Sequence, residues 1–196
     1  MTGVQTCALP ISELGKVTRS TPMGSLDRPF NPLALALGSG ATFVCRTIDI
    51  ETKHMQAIIK RSYSHKGTAF IEIYQNCNIF NDGAFAPMTD KESKADKVLW
   101  LENGQPMLFG AKQNKGIRLD GNKPIVVTIG KKWSVDDLLV HDEGDYVIAS
   151  LLSNMTYQGD FPDPIGVLYA IDAPIYEDLM LAQINKIGRA SCRERV

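Results

Sequence analysis

Between Asn31 and Gln75 the spacing of apolar residues changes period from one stretch to the next. "FNPLALALGSGA" (30–41) sets an unbroken apolar run behind Asn31 and Pro32 and closes it with Gly38 and Gly40. That pattern predicts a short helix: Asn31 can cap it, and Pro32 sits at the first helical position, where a missing N–H costs nothing. "TFVCRTI" (42–48) is β-branched and aromatic without polar alternation before Arg46, as in a strand buried on both faces. "DIETKHMQAIIKRSYSHKG" (49–67) returns to helical spacing through Met55, Ile58, Ile59 and Ser62, with Glu51 early, basic Lys60, Arg61 and Lys66 late, and Gly67 as a stop. "TAFIEIYQ" (68–75) is the next strand. Helix, strand, helix, strand in this order predicts a right-handed crossover and a parallel sheet covered on both faces.

After Gln75 the pattern loosens. "NIFNDGAFAPMTDKESKAD" (78–96) reads as a loop with a solvated, charged stretch from Asp90 to Asp96. Asn103-Gly104 and Asp120-Gly121, each between apolar runs, are hairpin signals and predict a small antiparallel element. Ser134 with Asp137 resembles a capping box opening a short helix in "VDDLLVH" (135–141). "PIGVLYAID" (164–172) predicts a last strand and "PIYEDLMLAQIN" (174–185) a last helix. There is no internal repeat and no low-complexity stretch.

The ends change the bounds on composition. "MTGVQTCALPI" (1–11) and "IGRASCRERV" (187–196) resemble in-frame translations of the two adapters used in short-read DNA sequencing, so both are set aside from fold reasoning. The natural stretch is then about 12–186, open at both ends. Without Arg189, Arg193, Arg195 and Glu194 the chain has 18 basic and 21 acidic side chains, and its net charge goes from −1 to −3. Such a balance offers no electrostatic case for nucleic acid. No apolar run approaches the length of a membrane span. Removing Cys7 and Cys192 leaves Cys45 and Cys77, which suits a reducing cytoplasm and is no disulfide framework.

Candidate chemistry is sparse. Cys77 lies just beyond the carboxyl end of the 68–75 strand, where open parallel sheets bind ligands. A thiol there is either a ligand or a small buried hydrophobe, and the residues alone leave both open. Cys45, in mid-strand, reads as core. Arg46, at the end of its strand, could meet an anionic group or form a structural ion pair. "GSGA" (38–41) precedes a strand instead of opening a helix, so it is a helix stop and not a dinucleotide loop. His54, His65 and His141 lack metal-ligand spacing, with two of them expected on a solvated helix surface, and "HDEGD" (141–145) reads as an exposed acidic turn.

The stretch from "GKVTRSTPMGS" (15–25) through "FVCRTIDIETKHMQAIIKRSYSHKGTAFIEIYQNCNIFNDGAF" (43–85), with "LLVHDE" (138–143), closely resembles the β subunit of the 2-oxoacid:ferredoxin oxidoreductases, most of all the 2-oxoglutarate type. The likeness is long and collinear across about 12–186. It implies an α/β fold in which 12–77 is the C-terminal part of a thiamine-diphosphate-binding, three-layer, parallel-sheet domain. It makes 78–186 the C-terminal region of the subunit, with small β-hairpins, between adapter-derived tails at 1–11 and 187–196. It implies oxidative decarboxylation of a 2-oxoacid with thiamine diphosphate and Mg2+, coenzyme A taking the acyl group and a 4Fe-4S cluster passing electrons to ferredoxin. The partners it implies are the α subunit and ferredoxin. Cys77 matches the fourth cluster thiolate of the family, and Cys45 stands where the family has a small residue. The family's Gly-Asp-Gly magnesium motif is absent, so the chain is expected to begin just after it. "TRSTPMGS" (18–25) would then lie near the cofactor, with no role assigned to Thr18, Arg19 or Thr21. A pyruvate or branched-chain 2-oxoacid type, or a non-catalytic α/β interaction domain, are the alternatives.

If both tails are foreign to the fold, deleting 1–11 and 187–196 will move the thermal midpoint by less than about 4 °C, the shift that about 1 kcal/mol produces in a domain of this size. A larger fall in calorimetry would show that a tail packs on the core.

Overall fold

The computed structural model describes residues 14–17, 22–26, 29–76, 78, 82–156 and 158–193. Helix α1 (Pro32–Gly38) begins as expected: the Asn31 side chain accepts from the Ala34 N–H, and Pro32 opens the first turn. The run 43–48 forms β1 (Phe43–Ile48), every residue of which is buried. Helix α2 (Thr52–Ser64) follows, with Glu51 as its N-cap and Ile58 and Ser62 buried. It leads into β2 (Ala69–Tyr74), which pairs parallel to β1 in the register Phe43 to Ala69 through Ile48 to Tyr74.

The rest of the sheet departs from the parallel expectation. Beyond the single-turn helices α3 (Ala86–Thr89) and α4 (Lys94–Lys97) comes the short β3 (Val98–Trp100). The chain then builds β4 (Leu108–Phe109), β5 (Lys115–Asp120) and β6 (Lys123–Thr128) before α5 (Tyr146–Met155), β7 (Asp163–Ala170) and α6 (Tyr176–Arg193). The larger sheet runs β2-β1-β7-β3, and β7 is antiparallel to β1 while β3 is parallel to β7. The sheet is therefore mixed, and it unites strands from both sides of residue 77. The cause is the route: β7 arrives from α5 and a turn, not from a crossover that would return it in the direction of β1.

The second sheet, β4-β5-β6, is antiparallel. Its β5–β6 hairpin turns at Gly121, φ 61°, as the sequence indicated, a conformation that suits glycine. Asn103-Gly104 makes no hairpin of its own. It joins β3 in the large sheet to β4 in the small one. The capping box at Ser134 and Asp137 is present, but it starts a single 3₁₀ turn (Val135–Asp137) instead of a helix running to His141. Helix α5 has no counterpart in the sequence reading: Asp145 caps it by accepting from the Val147 and Ile148 N–H groups.

Helices cover both faces of the large sheet. On one, Leu33 and Leu37 of α1 and Ala149, Leu152 and Met155 of α5 pack on Val44, Leu99 and Leu168. On the other, Ile58 of α2 meets Phe43, Cys45 and Val167. Side chains of α6 from Tyr176 to Ile187 are exposed.

Arg46 is the largest fully buried side chain. Its Nε donates to Glu72 at 2.6 Å and its Nη1 to Thr156 at 2.5 Å, with Asp163 3.6 Å away and the Tyr74 ring centroid 4.7 Å from the guanidinium carbon. It lies within β1, not at its end, and of the two roles the sequence left open it takes the structural ion pair. Arg46→Met will leave Glu72 and Asp163 without their cation in a dry setting, so a loss of about 3–5 kcal/mol is expected in urea unfolding. A loss below about 1 kcal/mol would mean that water reaches these carboxylates in the native state.

Candidate functional site

The site is built where β1 and β2 end side by side. The Asp49 N–H donates to the Tyr74 carbonyl (3.0 Å), extending the β1–β2 pairing past Ile48, and the Ile50 N–H turns back onto the Asp49 carboxylate at 2.7 Å. Beyond Tyr74 the chain passes Gln75 and Asn76. Cys77, the candidate ligand, lies outside the described residues, as do Thr18, Arg19 and Thr21. The geometry on either side of Cys77 is described.

Asn76 holds the two sides together. Its Nδ2 donates to Asn78 Oδ1 (2.8 Å) and Asp82 Oδ1 (2.9 Å), and its Oδ1 accepts from the Gly83 N–H (2.9 Å). The amide orientation follows from its neighbours, since a carboxylate only accepts and a backbone N–H only donates. Two residues further on, Phe85 stacks on Tyr74 with centroids 4.3 Å apart and planes 16° apart. Phe85 and Met88 also pack on the buried cluster of Ile48, Tyr74, Val98 and Ile165. The stretch expected to be plain loop is thus anchored by aromatic stacking and burial. A cleft of about 220 Å³ opens here, lined by Asp49, Ile50, Asn76, Gly83, Phe85 and Thr89.

The second face of this strand end carries a polar group of its own. Thr47 Oγ1 and His54 Nδ1 are 2.8 Å apart, and the His54 ring meets Trp100 edge-on at 5.1 Å. Lys94 pairs with Glu51 and lies 5.2 Å from the Trp100 centroid. Burial, more than any neighbour, pushes the His54 pKa below its ordinary value. The half-buried His54 is therefore no solvated surface group. Among the described residues no group of three or more His, Cys, Asp or Glu could hold a metal ion.

Of the two thiols outside the tails, Cys45 is unsuited to metal. It is fully buried, its Sγ–H faces the Phe70 carbonyl at 3.7 Å, and burial raises its pKa to about 12. A thiol so held stays protonated at neutral pH, whereas a ligand must be thiolate. The sequence expectation that Cys45 is core agrees with this. The acidic turn at 141–145 is less exposed than expected. Glu143 is buried against Arg61, with which it makes a two-pronged ion pair, and Asp145 is the α5 cap. His141 is buried as well: its Nε2–H donates to the Val167 carbonyl at 2.8 Å, while Nδ1 has no hydrogen-bond partner among the described residues.

The side chains that order this strand end and that sequence reasoning missed are Asn76, Tyr74 and Phe85. An Asn placed one residue before Cys77 and six before Asp82 was the available signal, because Asn and Asp bond nearby backbone and each other across turns.

No family model matches the chain. Over 177 residues, 89% of its length, it is 38% identical to the 2-oxoglutarate oxidoreductase subunit KorB of Mycobacterium tuberculosis, of which it covers 47%. Over 75 residues, 38% of the chain, it is 43% identical to the 2-oxoacid:ferredoxin oxidoreductase subunit beta of Saccharolobus solfataricus, of which that match covers 25%. A solved 2-oxoglutarate:ferredoxin oxidoreductase from Magnetococcus marinus, with 2-oxoglutarate, coenzyme A and succinyl-CoA bound, matches with a TM-score of 0.61 and 22% identity, over 91% of this chain and 46% of that one. At that identity the structural likeness speaks for the fold. The α/β fold is thus shared with that structure, and the long collinear match is to a 2-oxoglutarate oxidoreductase subunit. The chain is similar to β subunits of the 2-oxoacid:ferredoxin oxidoreductases and spans about half the length, or less, of the curated relatives it matches. Among the described residues no helix is long and apolar enough to cross a membrane.

The buried His141 predicts a pH response. Burial holds its folded pKa below the ordinary 6.5, although Val167, Glu143 and Asp142 pull the other way. As pH falls through about 6.5 the unfolded chain takes up the proton first, so stability is lost on the acid side and is fully present above it. His141→Gln will flatten the decline in urea midpoint between about pH 6.5 and pH 5. An unchanged slope would assign that decline to other groups, His54 included.

Proposed function

We propose that this chain is part of the β subunit of a 2-oxoglutarate:ferredoxin oxidoreductase. The reaction is 2-oxoglutarate plus coenzyme A to succinyl-CoA, carbon dioxide and a proton, with two electrons passed one at a time to two ferredoxins. The observation that carries this reading is the 38% identity over 177 residues to a 2-oxoglutarate oxidoreductase subunit. The 75-residue match to a subunit described more broadly as 2-oxoacid-specific keeps the substrate class wider than one acid. Pyruvate and a branched-chain 2-oxoacid therefore belong in the assay. An α subunit and ferredoxin are the proposed partners, and the cytoplasm the proposed compartment.

Within this reading Cys77 is one of the four thiolates of a 4Fe-4S cluster. The donor chemistry fits: a soft thiolate is required, Cys45 is excluded by burial, and Cys77 follows a strand end whose flanks border a cleft. Residues outside this chain would supply the other three thiolates. The cluster, when bound, carries single electrons. What the present residues contribute is a fixed strand end: Tyr74 and Phe85 anchor it, and Asn76 ties residues 76 and 83 together. Thiamine diphosphate with Mg2+ does not fit the residues in hand. There is no Gly-Asp-Gly in the sequence to hold its Mg2+ and diphosphate. We place 12–77 in the cofactor-binding domain and 78–186 in the C-terminal region of the subunit.

The experiment uses the full-length β subunit produced with its α subunit. Coenzyme A-dependent reduction of ferredoxin is expected with 2-oxoglutarate and at most weakly with the other acids. Cys77→Ser should abolish the visible iron–sulfur absorbance and ferredoxin reduction together, because a hydroxyl is a poor ligand for iron. Cys45→Ala should retain both. Equal losses from the two substitutions would sink the ligand assignment, and preference for pyruvate would move the chain to the other substrate type.

A further inference from the structure

Three peptide bonds in the chain join an Asp or Asn to glycine: Asp82-Gly83, Asn103-Gly104 and Asp120-Gly121. In such a pair the glycine nitrogen can attack the preceding side-chain carbonyl, because glycine has no Cβ to hinder the approach. We propose that Asp120 is the site at which this chain modifies itself, its backbone passing from the α- to the β-carboxyl to give isoaspartate. The step balances within the chain and water. The Gly121 nitrogen bonds to Cγ of the Asp120 carboxyl in its acid form, and the N–H proton leaves with the carboxyl hydroxyl as water. Water then reopens the five-membered imide at either of its carbonyls.

Hydrogen bonding singles out this pair. All three pairs are exposed, so access to water does not separate them. At 103–104 both reacting groups are held: Asn103 Oδ1 accepts from the Glu143 N–H (3.1 Å), and the Gly104 N–H donates to the His141 carbonyl (2.7 Å). At 82–83 one side chain holds both, since Asn76 Nδ2 donates to Asp82 Oδ1 (2.9 Å) and Asn76 Oδ1 accepts from the Gly83 N–H (2.9 Å). At 120–121 neither is held: among the described residues no hydrogen bond or ion pair reaches the Asp120 carboxylate or the Gly121 N–H. Gly121 opens the tight turn of the β5–β6 hairpin at φ 61°, with nothing within 4 Å of the place of a Cβ, and only the closing Asp120–Lys123 pair has to loosen for attack. Loops and element ends open at little cost. The order of reactivity is therefore the reverse of the one in the sequence, where the neutral amide of Asn103 is the readier electrophile at neutral pH.

The test follows the full-length β subunit, produced with its α subunit, through incubation near neutral pH at physiological temperature, both folded and in urea. Isoaspartate is located by peptide mapping, and the α-carboxylate that it frees is marked by methyl transfer from S-adenosylmethionine with a protein carboxyl methyltransferase. In the folded protein residue 120 should convert about tenfold or more faster than 82 and 103, where two ordinary hydrogen bonds must break before attack. In urea that preference should vanish, with Asn103 converting first. Asp120→Glu, which would have to close a six-membered ring, should leave no isoaspartate in the β5–β6 hairpin. Asn76→Ala should raise conversion at 82 towards that at 120 and leave 103 protected. If that variant fails to fold, the folded and urea-treated wild type decide alone. Conversion at 82 or 103 as fast as at 120 in the folded wild type would overturn the inference, as would none at 120 over a time in which the unfolded chain converts.

Discussion

The buried guanidinium of Arg46 is the interaction on which the large sheet depends. A charge with no exposed surface is tolerated only where its partners replace water. Here they come from three elements besides its own strand: Glu72 and Tyr74 from β2, Thr156 from the end of α5, and Asp163 from the start of β7. Burial by itself would lower the guanidinium pKa. The Tyr74 hydroxyl and the two carboxylates outweigh that and keep it above its ordinary value. Burial likewise raises the pKa of Asp163, with Arg46 pulling against it. No one of these strands can slip in register without stranding a charge.

That constraint reaches the candidate site through one ring. Tyr74 is the last residue of β2, and its ring takes both the Arg46 guanidinium and the stacked Phe85. The buried cation therefore fixes the end of β2, and Asn76 ties it to Asp82 and Gly83. Order at this strand end is imposed from the core outward. The aromatic stack adds about 0.5–1.5 kcal/mol beyond the area it buries, and each amide bond of Asn76 about 1 kcal/mol or less. The larger share of the anchoring thus comes from Phe85 and Met88 entering the core, which the polar pattern of 78–96 concealed.

Local signals were legible where they depend on neighbours in sequence. Asn31 and Pro32 opening α1, the fully buried β1, the α2–β2 succession, the turn at Gly121 and the capping box at Ser134 all stood in the sequence, because caps and periodicity act over a few residues. The direction of β7 was not legible. "PIGVLYAID" has the same composition whichever way it pairs, and only the location of α5 decides it. Helix α5 was itself hidden: Asp145 was counted with the acidic run at 141–145, although Ile148, Ala149, Leu152 and Met155 behind it keep helical spacing. The burial of His141 and Glu143 had no local mark at all, since their partners Val167 and Arg61 are far away in sequence. The bonds from Asn76 to Asn78, Asp82 and Gly83 were overlooked because asparagines beside a turn read as turn formers.

The antiparallel β7 also explains why the strand-end loop lies where it does. Because β7 opposes β1, and β3 runs with β7, the amino ends of β7 and β3 lie on the same side of the sheet as the carboxyl ends of β1 and β2. The chain from Gln75 to Lys97 must leave β2 at one edge of the sheet and enter β3 at the other. At about 4.8 Å per strand that is about 14 Å across the ends of β1 and β7. It cannot take this path without passing over the mouth formed by Asp49, Ile50 and Asn76, and it is tied down along the way by Phe85, by Met88 and by Lys94 on Glu51. In an all-parallel sheet β3 would begin at the opposite end, and the same residues would run down a face instead. The reversal of one strand is what turns a connection into the cover of a strand-end cleft.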